Sequence, residues 1–238
     1  MILPRSLACL LGTGSPDMPD ALHRHRGARK RLRLDCPLEE AEFVVFDTEL
    51  TGLSYGRDSI VSIGAIKMRG GAILPATEFY RLVRPESELR GESVCIHEIT
   101  PDELAASAVE PVCALVEFID YAGDAVLVGH FVEIDVTFVS RAMRRHFCMP
   151  LQSRAVDTAI LHSWMVERGS GLSRHYGGMC REQDLFIMAR HYGIEPGGRA
   201  HNALLDAFVT AQLFQRLLAF LPESGIKTVG GLLRAGGL

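Results

Sequence analysis

The sequence predicts a mixed α/β domain built on a five-stranded sheet with flanking helices. Three observations carry that expectation. The segment "EFVVFDT" at 42–48 is an apolar, β-branched run bounded by polar residues, the pattern of a buried strand. Two more strand-like runs follow without an intervening helix, "SIVSIGAIKM" at 59–68 and "ATEFYRLVRP" at 76–85, joined by a Gly70-Gly71 hairpin turn. From residue 100 onward helix and strand patterns alternate, which adds parallel strands to an antiparallel start.

The remaining elements follow in order. "ITPDELAAS" opens a helix with Thr100 as N-cap, Pro101 in the first helical position and Glu103 closing a capping box. A helix at 110–122 leads into the apolar strand "AVLVGH" at 125–130, and a helix runs from about 133 to 147. A short strand at 154–157 and a helix at 158–168 come next, with Asp157 better placed as N-cap of that helix than as a metal ligand. The Gly-rich stretch 169–181 reads as a mobile loop, and helices near 182–192 and 203–220 complete the body. His162, His175 and His191 read as surface or loop histidines, and Phe138 as core. This divides the chain into an N-terminal extension (1–38, with a loop at 12–20), a domain at 39–221 and a C-terminal tail at 222–238.

Composition excludes several classes. No apolar run approaches the roughly 20 residues that span a bilayer, so no membrane partner is expected. The start "MILPRSLACLLGTGSP" faintly resembles a signal peptide, but its apolar core is interrupted early and no clean cleavage site follows. The six cysteines lack any C-x-x-C pair, which argues against zinc knuckles and a disulfide framework and fits reduced thiols in a cytoplasm. Phosphate-binding P-loop and serine-hydrolase motifs are absent from the sequence.

Charge is uneven. In residues 1–34 seven basic residues stand against two acidic ones, which gives +5 and leaves −9 for the rest of a chain whose total is −4. The arm "HRHRGARKRLRL" at 23–34 has two readings, a phosphate-contacting segment or an amphipathic helix docked on its own domain.

The chemistry is concentrated in acids at element ends. Asp47 and Glu49 close the first strand two positions apart, so period-2 geometry points them the same way. Two like charges held side by side repel unless a cation lies between them. Asp135 stands just past the end of the fourth strand, in the first turns of a helix. Asp206 lies about one turn inside the last long helix, among Ala, Leu and Phe, with Asn202 as N-cap and His201 just outside. A carboxylate there is costly to desolvate unless paired or metal-bound, and no unmatched Lys or Arg falls in that apolar stretch. Each acid alone could be a plain strand-end or helix-turn residue. Together they form an oxygen-rich set suited to hard divalent cations, Mg²⁺ or Mn²⁺, rather than zinc.

"DTELTGL", "GHFVEID" and "HNALLDA", in this order and spacing, resemble the three motifs of the DEDDh exonuclease family, which includes the proofreading epsilon subunit of bacterial DNA polymerase III, RNase T and oligoribonuclease. The resemblance covers about residues 42–220. It implies a ribonuclease-H-like fold, two bound metal ions and removal of nucleoside 5′-monophosphates from a 3′ end. On that mapping Asp47, Glu49, Asp135 and Asp206 bind the metals, and His201, five positions before Asp206, is the general base of the histidine branch. A histidine with an ordinary pKa near 6.5 can take a proton from water close to neutral pH.

"CIHEIT" at 95–100 resembles the segment near the bound 3′ nucleotide in relatives, with Glu98 where Gly is common. Phe131 stands where relatives commonly carry Asn, and Leu50 where many carry Thr. Thr51, Leu53, His97 and Phe131 are the candidate substrate-binding residues. The function expected is metal-dependent 3′→5′ exonuclease action on single-stranded ends, with DNA ahead of RNA. The alternatives are an oligoribonuclease- or RNase T-like exoribonuclease and an idle nucleic-acid-binding or polymerase-accessory module. The tail "PESGIKTVGGLLRAGGL" either docks a polymerase or another protein, or covers the domain.

Overall fold

The computed structural model describes residues 19–89, 91–178, 180–198 and 201–238. Five strands, β1 (Glu42–Leu50), β2 (Ile60–Arg69), β3 (Ala72–Leu82), β4 (Val126–Gly129) and β5 (Ala155–Asp157), form one sheet in the order β3-β2-β1-β4-β5. β1, β2 and β3 are antiparallel, and β4 and β5 add in parallel to β1. This is the five-stranded mixed sheet expected from the sequence. β3 begins directly after the Gly70-Gly71 turn, a few residues earlier than predicted, because hairpin pairing with β2 extends it back to Ala72.

Two short helices, α1 (Asp20–His25) and α2 (Ala28–Arg31), precede the sheet. α3 (Gly91–His97), α4 (Pro101–Ser107) and α5 (Pro111–Ala122) lie between β3 and β4, and α6 (Glu133–Phe147) links β4 to β5. α7 (Thr158–Glu167), α8 (Gly171–His175), α9 (Leu185–His191), α10 (Ala203–Phe220) and α11 (Val229–Gly236) follow. The Thr100–Glu103 capping box is formed, and Asp157 and Asn202 cap α7 and α10.

Alternation along β1 decides what each face meets. Phe43 and Val45 belong to the core under α10, where Phe43 packs edge-on against Phe214 at 5.1 Å. Val44 and Phe46 belong to the opposite core under α5 and α6, with Phe118 against Phe46 at 5.2 Å. α10 is long and apolar enough to cross a membrane by length and composition, yet it is packed on β1 and β2.

Several expectations change. Residues 169–181 are not an open loop as far as they are described: α8 buries Leu172, and Tyr176 packs on Tyr192 at 5.1 Å. His162 is buried rather than on the surface, because α7 turns it toward α9, where its Nε2 meets the Tyr192 hydroxyl at 2.5 Å. Cys36, Cys95, Cys113 and Cys180 are free thiols, while Cys148 is disulfide-bonded, which the cysteine spacing did not predict. The loop expected at 12–20 lies outside the described residues except for its last two positions.

The described part of the basic arm is docked. Leu22 is fully buried against α5, Arg24 pairs with Asp120, and Arg31 pairs with Asp124. The end of the extension also joins the tail, through Val229 N to Cys36 O (3.0 Å) and Leu38 N to Lys227 O (3.0 Å), and α11 packs on α7 and β5. Leu22→Ala should therefore destabilise the protein by about 2–5 kcal/mol. Chemical denaturation checks this; an unchanged midpoint would show that the arm is dispensable to the fold.

Candidate active site

The face of β1 that carries Phe43 and Val45 also carries Asp47 and Glu49, and α10 covers that face. Asp206 sits in the first turn of α10, directly over the end of β1. Asp47, Glu49 and Asp206 each offer an oxygen, all within 4.8 Å of one another. The close approach depends on Gly64, which pairs across from Asp47 in β2. A Cβ there would lie well inside van der Waals contact of the Ala203 and Leu204 backbone. Only glycine lets the start of α10 come down onto the sheet.

Asp135 reaches the same cleft from the other side. The pairing of β1 with β4 ends at Val45 and Val128, so the N–H of Thr48 lies beyond that ladder, and Asp135 takes the place of a strand partner. Its Oδ1 accepts from the Thr48 N–H at 2.9 Å and from the Thr48 hydroxyl at 2.5 Å. Thr48 was not among the residues singled out from the sequence. Its only signal there is its place between two acids.

The turn before α6 is held by Asp157, whose carboxylate accepts from the N–H groups of Phe131 (3.3 Å), Val132 (2.8 Å), Ala159 (2.8 Å) and Ile160 (3.3 Å). Asp157 is thus a structural cap shared by two helices. Its carboxylate is saturated by backbone donors.

A cleft of about 400 Å³ opens over the four acids and is walled by Leu53, Ile96, His97, Phe131, His201 and residues at the start of α9. Leu53 and Phe131 are exposed apolar side chains. Thr51 is not in the wall. Its side chain is buried, with Oγ1 accepting from Ser59 N at 3.0 Å and bonded to Ser87 at 2.8 Å, so it pins the β1–β2 loop rather than facing substrate.

His97 is buried. Its Nδ1 accepts from the Ile99 N–H at 3.1 Å, which puts the proton of the neutral ring on Nε2, and no described residue accepts from that atom. Burial and the neighbouring His201 push its pKa down and keep it neutral. His130 is occupied at both nitrogens, by Thr158 (2.8 Å) and the Gln183 carbonyl (2.6 Å).

His201 stands at the rim, exposed, with its backbone N–H donating to Asp206 Oδ2 at 3.0 Å. Its φ of 67° is in the left-handed region, as are those of Glu98 (57°) and Phe131 (52°). Gly and Asn adopt that region at least cost, so both departures from the family pattern fall where the backbone favours the usual residue.

Held together without a cation, the four carboxylates destabilise one another's charged forms. Burial first, then Asp135, Glu49 and Asp206, push Asp47 well above the ordinary carboxylate range. Glu49 rises to about 8, Asp135 to about 7 and Asp206 to about 6, each chiefly through burial. Glu49 Oε1 and Asp206 Oδ1 are buried with no hydrogen-bond partner among the described residues. Uncompensated carboxylate oxygens converging on one point fit a hard divalent cation.

The sign for stability follows. In the absence of metal these four carboxyl groups hold more protons in the folded protein than in the unfolded chain between about pH 4 and about pH 8, so their contribution to stability falls as pH rises across that window, against an opposite contribution below about pH 6.5 from the buried His25 and His162, both lowered to about 4. The gap in Tm between saturating Mg²⁺ and EDTA should widen by at least about 5 °C from pH 5 to pH 8, because a bound cation favours the charged carboxylates while the histidines act alike in both buffers. Thermal melts in both buffers at both pH values check it, and a gap that does not widen with pH would contradict the repulsive cluster.

The exonuclease family model named RNase T matches residues 44–214. The chain is 31% identical over 193 residues to the PolC-type DNA polymerase III of Staphylococcus haemolyticus (strain JCSC1435), covering 81% of this chain and 12% of that protein. It thus spans about an eighth of the curated relatives it matches. Among solved structures, E. coli exonuclease I in complex with a dT13 oligonucleotide superposes with a TM-score of 0.65 at 18% identity, over 78% of this chain and 43% of that one. Exonuclease X in complex with 5′ overhanging duplex DNA gives 0.58 at 20% identity, over 82% of this chain and 99% of that one. These likenesses place the sheet and its helices in the ribonuclease-H-like fold of exonucleases.

Proposed function

This chain belongs to the RNase T family of 3′→5′ exonucleases, and from that premise we propose that it removes nucleoside 5′-monophosphates from the 3′ end of single-stranded nucleic acid, with DNA as the favoured substrate. The observation that carries the reading is the convergence of Asp47, Glu49 and Asp206 within 4.8 Å, with Asp135 in the same cleft and His201 at its mouth.

Asp47, Glu49, Asp135 and Asp206 would hold two Mg²⁺ or Mn²⁺ ions. Bound there, the ions supply Lewis acidity toward the scissile phosphodiester and a nucleophilic water at neutral pH. The chain's own residues do the rest. Thr48 fixes the Asp135 carboxylate, so that its rotamer is set before substrate arrives. His201 takes the proton from the attacking water, from a position whose exposure admits solvent exchange. Leu53, Ile96 and Phe131 offer apolar surface to the terminal base and sugar, and His97 stands in the same wall.

A single strand enters this cleft more readily than a duplex, whose terminal pair must first be opened. The packing of α11 on the domain favours the covering role for the tail over docking of a polymerase.

The test is hydrolysis of 5′-labelled DNA and RNA, as single strands, duplexes and dinucleotides, with Mg²⁺, Mn²⁺ or chelator. Stepwise shortening of single-stranded DNA from the 3′ end with metal only is expected. Preference for dinucleotide RNA would favour the oligoribonuclease-like alternative, and no hydrolysis of any strand would favour an idle binding module. His201→Ala should lower kcat by about 10²–10⁴-fold while strand binding persists. An unchanged kcat in that variant would remove His201 from the reaction.

A further inference from the structure

A second concavity, of about 120 Å³, lies on the far side of the β1–β2 loop from the acidic cleft. Ile63, Leu115 and Phe138 form part of its floor, and Arg57, Arg84, Arg141 and Arg145 stand around it. Asp58 and Glu86 are the acids in its lining, so four positive charges face two negative ones. That surplus is out of keeping with residues 35–238, which carry −9.

Asp58 is turned into the loop, where it accepts from the Ser54 N–H at 2.8 Å. Arg84 and Arg145 make exposed ion pairs with Glu110 and Glu86, which water and salt weaken. Among the described residues Arg57 and Arg141 have no carboxylate partner.

The two clefts share their walls. The β1–β2 loop gives Gly52 and Leu53 to the acidic cleft and Gly56 to Ser59 to the arginine cleft. On α6, Ile134 and Asp135 line the first, and Phe138, Arg141, Ala142 and Arg145 line the second. At 1.5 Å per residue, Arg141 and Arg145 stand roughly 9 and 15 Å along the helix from Asp135, the span of a few nucleotides of extended strand. Between them Tyr55, itself exposed, rests its ring on Phe138 at 5.3 Å. A strand leaving the acidic cleft would meet an apolar residue, an aromatic ring and then guanidinium groups, the sequence of contacts that suits single-stranded nucleic acid.

We propose that the arginine cleft is a second nucleic-acid site, which takes the backbone phosphates of a single strand a few nucleotides upstream of its 3′ end, with Arg57 and Arg141 as the phosphate ligands. This rests on the exonuclease reading above for the direction of the strand. It also gives an acidic body a means to hold a polyanion close to the acidic cleft, whereas Arg24 and Arg31 of the arm are already paired with Asp120 and Asp124. Guanidinium groups suit the task because their planar donor fork matches two phosphate oxygens.

The test compares the full chain with its Arg57→Gln/Arg141→Gln variant. Binding of a fluorescent DNA strand of about 20 nucleotides is followed by anisotropy in EDTA across a salt series. Each phosphate neutralised on a single strand contributes about −0.7 to the slope of log K against log salt, so the intact protein should be steeper by about 1.4. The affinity gap should then narrow about sevenfold between about 50 and 200 mM salt. With metal present, KM for the long strand should rise while kcat and the hydrolysis of a dinucleotide stay unchanged.

Equal salt slopes and equal KM values would overturn the proposal. So would a response confined to free 5′-mononucleotide, which would make the cleft a nucleotide pocket off the strand path. Should neither protein cleave any strand while the slopes still differ by the expected amount, the arginine site stands and the exonuclease reading falls.

Discussion

Asp135→Asn is expected to lower kcat by about 10³-fold or more while the protein folds normally. The amide oxygen of asparagine can still accept from the Thr48 N–H and hydroxyl, so the anchor of α6 to the end of β1 is kept. What is lost is one negative charge in a buried cluster, and with it affinity for a divalent cation. The same loss relieves repulsion, since Asp135 is the neighbour that raises Asp47 most. The variant should therefore melt higher than the parent in EDTA at pH 8 and gain less from Mg²⁺, the signature of a residue kept for function at a cost in stability. Turnover is measured on a 5′-labelled strand at saturating Mg²⁺. Near-normal turnover there would sink the assignment of this site.

Gly64→Ala should fail in both respects. The added methyl has no flexible neighbour to push aside, because the atoms it meets are the backbone of Ala203 and Leu204. Either β2 or the start of α10 must move, at about 3 kcal/mol or more of stability, which corresponds to a Tm lower by about 6–12 °C. Displacing that helix start also carries Asp206 and His201 away from Asp47, and a misplacement near 1 Å costs about 10²-fold in rate. Gly71→Ala is the control, since nothing lies within 4 Å of a Cβ there. It should leave both readouts nearly unchanged. Equal behaviour of the two variants would mean that the approach of α10 does not depend on Gly64.

The elements legible in the sequence are those fixed by neighbours along the chain. α6 runs over the predicted 133–147, and α10 over the predicted 203–220, because an apolar face at helical spacing and local end signals leave little choice. The capping box at Thr100 and the caps at Asp157 and Asn202 needed no tertiary information. α8 and α3 were harder. α8 is a five-residue helix in Gly-rich sequence, stabilised by Leu172 and Tyr176 packing on distant residues, and α3 ends at a left-handed Glu98 that no propensity favours.

For the site, the sequence by itself determined the four acids and the histidine: their types, their places at strand and helix ends, and their order in the chain. Period-2 alternation was enough to put Asp47 and Glu49 on one face, and an acid in an apolar helix was enough to mark Asp206. Only the tertiary structure decided which oxygens meet. Thr48 became the anchor of Asp135 because β4 ends too early to use its N–H. Gly64 became essential because α10 crosses the sheet at that point. Thr51 left the substrate wall for the interior of its loop because Ser59 and Ser87 claimed its hydroxyl, and two of the arm's arginines, Arg24 and Arg31, found acids on the domain. The physical reason is the range of the forces involved. Propensity, capping and alternation act over a few residues and can be read along the chain, whereas hydrogen-bond partners and steric room at Thr48, Thr51 and Gly64 come from segments that folding brings beside them.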